Sequence, residues 1–139
     1  MTTPDAGWAE RVRALAAEKD AVILAHNYMT PEIFHCVADF VGDSLQLARE
    51  AAKTDAKIIV QAGVHFMAEV ADILSKPTQT VILPDMSAGC SMADMANLAK
   101  VERAWREIGE VLNADETITP ITYINSAADL KAFCGEHGG

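Results

Sequence analysis

Residues 81–94 read VILPDMSAGCSMAD. A short apolar run, Val81, Ile82 and Leu83, stops at Pro84 and Asp85. A small-residue turn, Ser87-Ala88-Gly89, then delivers Cys90, and residues 92–94 are compatible with a helix. A buried strand opening into a glycine-bearing loop is where α/β proteins place their chemistry, because the carboxyl ends of parallel strands share a crevice. Gly89 permits a tight turn or a close backbone approach to a ligand. A thiol beside loop amides sits in an electropositive setting that favours the thiolate, suited to metal ligation or nucleophilic work. The same residue also fits as a small buried hydrophobe, a common use of free cysteine.

Upstream, residues 21–25 (AVILA) are an apolar run too short for most helices and read as a strand buried on both faces, and residues 57–61 (KIIVQ) read as a second strand. Residues 80–83 form a third strand, and residues 118–124 a fourth, with Pro120 among its first residues. Between them the apolar spacing is helical. Residues 8–17 form a helix with Asp5 as its cap, and Thr30-Pro31 starts another that continues through Val41. Further helices run over 45–53 behind Asp43 or Ser44, over 66–74 before Pro77, over 97–112 and over 127–133. Alternation of strand and helix predicts an α/β, three-layer αβα domain with a four-stranded parallel sheet. Its strand ends would share one edge carrying His26, Tyr28, Gly63, Asp85, Cys90, Tyr123 and Asn125.

The 139 residues suit one domain, half of them are hydrophobic and 22% are charged, which is enough to bury one core. The net charge is −9 and no Lys/Arg cluster runs along the chain, so no nucleic-acid surface is expected. Three cysteines at irregular spacing do not make a disulfide framework and point to a reducing compartment. Met1-Thr2-Thr3-Pro4-Asp5 lacks the charged and apolar regions of a signal peptide. No apolar run approaches the ~20 residues of a membrane helix. A cytoplasmic chain without membrane or nucleic-acid partners is the expectation.

His26, Asn27 and Tyr28 follow the first strand, and all three can orient a carboxylate or carbonyl, while His and Tyr can also move protons. A histidine bonded to a carbonyl in the core is the alternative for His26. Gly42-Asp43-Ser44 is a helix cap that also presents a hydroxyl and N-terminal amides to an anion. Tyr123 and Asn125 alternate along the fourth strand and so face one way, as a sheet-face Tyr and turn Asn would. Cys36, Cys90 and Cys134 are far apart, with no CxxC or HExxH spacing, and no GxGxxG or Walker A loop is present.

Five stretches, ILAHNYMTPEI, VGDSLQLAREA, GVHFMAEVADIL, VILPDMSAGCSMADM and TYINSAADLKAFCGEHGG, together resemble the quinolinate synthase family from Val22 to the end, in the family's order. The resemblance implies an enzyme of NAD biosynthesis that condenses iminoaspartate with dihydroxyacetone phosphate to quinolinate, releasing phosphate and water. It implies three similar α/β domains around a [4Fe–4S] cluster held by three cysteines, whose open iron acts as a Lewis acid. Residues 1–139 would be the first domain, with 126–139 leading toward the second. Cys90 would be that domain's cluster ligand, the one cysteine ligand of three in this chain. His26 and Ser44 resemble contacts to a substrate carboxylate, Tyr28 resembles a tyrosine suited to proton transfer, and Tyr123 and Asn125 resemble the pair that holds substrate. Where the family continues into its second domain, this chain stops. It would then be an N-terminal fragment or split-gene product that alone neither holds an intact cluster nor makes quinolinate. Apolar faces meant for the missing domains, or for another chain, would favour self-association. Two rivals are a stand-alone α/β module binding a small carboxylate or phosphate, in which Cys90→Ser alters only stability, and an interaction domain with no ligand at all.

Overall fold

Three of the four strands lie on the apolar runs that predict them: β1 (Ala21–His26), β3 (Ile58–Ala62) and β4 (Thr80–Ile82). The computed structural model describes residues 7–139, which fall into two units, the first ending at Ala88 and the second being Gly89–Gly139. The sheet belongs wholly to the first unit. Its order is β2-β1-β3-β4, and every neighbouring pair is parallel. Val22, Ile23, Leu24 and Ala25 are buried in succession, which a strand achieves only with both faces covered. β1 is therefore the centre of the core.

The remaining strand corrects the sequence reading. It is β2 (Phe40–Gly42), paired to β1 in the register Leu24 to Phe40 and His26 to Gly42. The helix expected to continue through Val41 is α2 (Pro31–Cys36) and stops five residues earlier. Asp39 explains the switch. Its N–H donates to the Ile23 carbonyl at 2.9 Å, and its carboxylate accepts the Ile23 N–H at 2.8 Å. This double contact draws the chain onto β1 before Phe40. The strand expected over 118–124 is irregular instead, and no described strand pairs with it. Pro120 withholds a ladder N–H, and Ile121 is 90% exposed where a core strand would bury it.

Helices in the first unit follow their local signals. α1 (Trp8–Lys19) begins at Gly7, whose φ of 86° suits glycine, and ends at Asp20 in the left-handed region. The expected cap Asp5 lies outside the described residues. α1 shares an apolar groove with the sheet, Val12, Leu15 and Ala16 lying with Ile23, Val60 and Ile82. α3 (Ser44–Lys53) packs on β1, β2 and α4 (His65–Leu74). Gly63, before α4, is tightly enclosed: a Cβ there would lie 3.1 Å from Met67 Sδ and 3.2 Å from Gln61 Nε2, so those side chains would have to shift slightly to admit it.

α3 opens with a capping box. Asp43 Oδ1 accepts the Gln46 N–H at 2.8 Å, and Gln46 Oε1 accepts the Asp43 N–H at 3.1 Å. Both bonds satisfy donors that a helix start leaves open. Asp43→Ala is expected to cost about 1 kcal/mol and Asp43→Asn only a fraction of that, read as shifts of the urea midpoint. Equal losses in the two variants would show that the cap's hydrogen bond contributes little.

The second unit contains α5 (Leu98–Gly109), capped by Asn97, then α6 (Ala114–Thr117) and α7 (Ala128–Glu136). An aromatic cluster holds it together. The Trp105 ring meets Phe133 edge-on at 5.6 Å and His137 at 4.9 Å, while Phe133 and His137 stack at 4.1 Å. At the outer end of this cluster the half-buried Trp105 donates its Nε1–H to the exposed Asp115 at 2.9 Å. Residues 92–94, read as helix-compatible, form turns. Among the described residues no helix is long and apolar enough to cross a membrane.

Candidate functional site

Because all four strands are parallel, their carboxyl ends lie along one edge. β1 has β2 on one side and β3 on the other, so the connections leaving β1 and β3 diverge and leave a crevice between them. His26 closes β1 and Gly63 follows β3 on either side of that crevice.

His26 is tied into a tight turn. The Asn27 N–H donates to the Gly42 carbonyl at 3.0 Å, and the Met29 N–H to the His26 carbonyl at 3.0 Å. The Tyr28 N–H donates to His26 Nδ1 at 3.4 Å, and the two rings meet edge-on at 4.7 Å. Tyr28 itself is 87% exposed, so its phenol faces solvent beside a half-buried imidazole. Burial lowers the His26 pKa below its ordinary value, and the nearby Asp43 carboxylate partly opposes that. Ser44, the first residue of α3, is buried next to Asp43. His26, Tyr28, Asp43 and Ser44 thus come from the adjacent ends of β1 and β2.

The loop after β4 is held by Asp85, which accepts from the Ser87 hydroxyl at 2.7 Å and the Ser87 N–H at 2.8 Å. Those bonds stabilise its carboxylate and lower its pKa. The Ala88 carbonyl then accepts the His65 N–H at 2.9 Å, docking the loop on the start of α4.

Cys90, Tyr123 and Asn125 belong to the second unit. Cys90 is half-buried, and its carbonyl accepts the Asp94 N–H at 2.9 Å. Tyr123 is exposed and Asn125 half-buried, in turns rather than on a strand, so the shared strand face expected of them is not formed. The buried Ser126 holds that turn: its hydroxyl donates to the Tyr123 carbonyl at 2.7 Å, and its own carbonyl accepts from Lys131 Nζ.

The thiols of Cys36, Cys90 and Cys134 are all free and half-buried, Cys36 at the end of α2 and Cys134 within α7. Among the described residues no group of three or more His, Cys, Asp or Glu side chains is placed to hold a metal. A [4Fe–4S] cluster needs cysteine thiolates that converge, and no such group occurs among the described residues.

The family model described as "NadA: Quinolinate synthetase A protein" matches residues 10–137. The chain belongs to this family. Quinolinate synthase of Nocardioides sp. is 55% identical over 138 residues, covering 97% of this chain and 34% of the relative. Quinolinate synthase of Acidobacterium capsulatum is 49% identical over 142 residues, covering all of this chain and 38% of the relative. Quinolinate synthase of Halobacterium salinarum is 54% identical over 132 residues, covering 94% and 35%. The chain thus spans about a third of the length of the curated relatives it matches.

For this quinolinate synthetase A family member, sequence reasoning passed over two groups at the β1–β2 edge. Asp43 reads as a helix cap and nothing more, yet its charge bears on His26. The signal was its position directly after an edge strand that was itself hidden in a helical pattern. The other is the Tyr28 peptide N–H, which no side-chain pattern can reveal.

Proposed function

We propose that the chain forms part of a cytoplasmic quinolinate synthase, condensing iminoaspartate with dihydroxyacetone phosphate in NAD biosynthesis. What carries this is the match along nearly the whole chain to relatives that bear that name. In this reading the chain is the first of three similar α/β domains. His26 and Ser44 bind a substrate carboxylate, the imidazole as donor and α3 through its positive N-terminal end. Tyr28, exposed beside His26, transfers a proton. Tyr123 and Asn125 hold the substrate, and Cys90 is one of three cysteine ligands of a [4Fe–4S] cluster whose other two come from outside these 139 residues. The rival reading as a free-standing carboxylate- or phosphate-binding module gives no reason for the shared sequence to fall on synthases alone among the relatives named above.

The test is co-expression of this chain with a segment supplying the remaining two thirds of a relative, followed by anaerobic iron–sulfur reconstitution. The expected result is quinolinate from the pair and none from this chain alone, which takes up no stable cluster. Turnover by the chain alone would overturn the division of ligands. A soluble, iron-loaded pair that makes no quinolinate would overturn the activity.

A further inference from the structure

A neutral imidazole carries hydrogen on one ring nitrogen and a lone pair on the other. A partner that can only donate, or only accept, decides which is which. A backbone N–H can only donate. At His26 such an N–H, that of Tyr28, faces Nδ1 at 3.4 Å, so Nδ1 presents its lone pair and the hydrogen lies on Nε2. At His137 the partner is the Phe133 carbonyl, 2.8 Å from Nδ1, which can only accept. There the hydrogen lies on Nδ1. Main-chain groups at Nδ1 thus favour opposite tautomers at the two histidines, with the Asp115 carboxylate 3.7 Å from the other ring nitrogen of His137.

We propose that the Tyr28 peptide N–H is a positioning group that locks His26 as the Nε2–H tautomer, making the imidazole a hydrogen-bond donor to an oxyanion rather than a base. The identity of that oxyanion as a substrate carboxylate rests on the function proposed above; the tautomer rests on the contact. The surrounding turn supports the lock. Asn27 and Met29 commit their N–H groups to Gly42 and His26 carbonyls, which fixes the Tyr28 N–H in place. The Tyr28 ring meets the imidazole edge-on, at 83°. Burial lowers the pKa of the ring and so favours its neutral form, and Asp43 is the charged group that opposes this.

The consequence is a division of labour. An imidazole whose lone pair is already engaged donates from Nε2 and accepts no proton there. It selects an oxygen acceptor over an ammonium group, and proton abstraction in the same pocket falls to a different residue.

The measurement is a long-range 1H–15N correlation spectrum of the ligand-free, 15N-labelled chain at slightly alkaline pH, with His26 assigned by its loss in His26→Gln. The expected pattern is an unprotonated Nδ1 and a protonated Nε2 at His26, with the mirror pattern at His137 as internal control. Tyr28→Phe, which keeps the N–H, leaves the pattern unchanged. Tyr28→Pro, which removes it, lets His26 exchange between both forms. A wild-type His26 protonated on Nδ1, or evenly mixed, overturns the proposal. Because the readout needs neither substrate nor turnover, an inactive assembled enzyme with an Nε2–H His26 would count against the synthase reading alone.

Discussion

Truncating Leu24 to alanine removes about 2–5 kcal/mol of stability, a large share of the ~5–15 kcal/mol that holds a typical domain folded. Leu24 has 0% of its surface exposed and sits on the central strand between Phe40 of β2 and Gln61 of β3. Its loss therefore opens a cavity where three strands and α3 meet, and close-packed surroundings refill such a space only in part. Leu15→Ala provides the comparison. That side chain lies in the groove under α1 but is half-exposed, so much of the transfer energy was never gained. Urea unfolding followed by far-ultraviolet circular dichroism should show a large drop in midpoint for Leu24→Ala and a small one for Leu15→Ala. Equal losses would mean that β1 is not the centre of the core.

Cys90→Ala in the assembled synthase is expected to cut quinolinate formation by at least ~10²-fold, since losing even an outer-shell partner of a metal commonly costs about 10–100-fold. Iron content should fall in parallel. In this chain by itself the thermal midpoint should hardly move, because the residue is only half-buried and its structural bond uses the carbonyl, which alanine keeps. Cys36→Ala and Cys134→Ala, at the end of α2 and within α7, should retain iron and turnover. Full iron loading in Cys90→Ala would end its assignment as a ligand.

The parts of the fold legible in the sequence are those fixed by neighbours in the chain. AVILA is a strand because a continuous apolar run of that length needs a sheet, the β-branched Ile58-Ile59-Val60 favour the next one, and the starts of α2, α3 and α5 are marked by Thr30-Pro31, Asp43 and Asn97. β2 was hidden because Ile33, Phe34, Val37, Ala38 and Val41 keep helical spacing across a point where the structure changes. What ends the helix is Asp39 reaching Ile23, sixteen residues back, and no local pattern encodes that. Residues 118–124 misled in the opposite way: Ile118, Ile121, Tyr123 and Ile124 have β propensity, but propensity without a partner strand makes no ladder. Of the candidate residues, His26 and Tyr28 lie at the end of β1, where the apolar run predicts a strand end, and Ser44 follows the end of β2, a strand the pattern hid. Tyr123 and Asn125 were placed on an edge through a strand that does not form.

Asp43 has two tasks. Its carboxylate closes the box that starts α3, and the same charge favours the protonated form of His26 against the larger effect of burial. Asparagine keeps most of the first task and removes the second. The basicity of the imidazole can therefore drift at this position while the helix that carries Ser44 keeps its start.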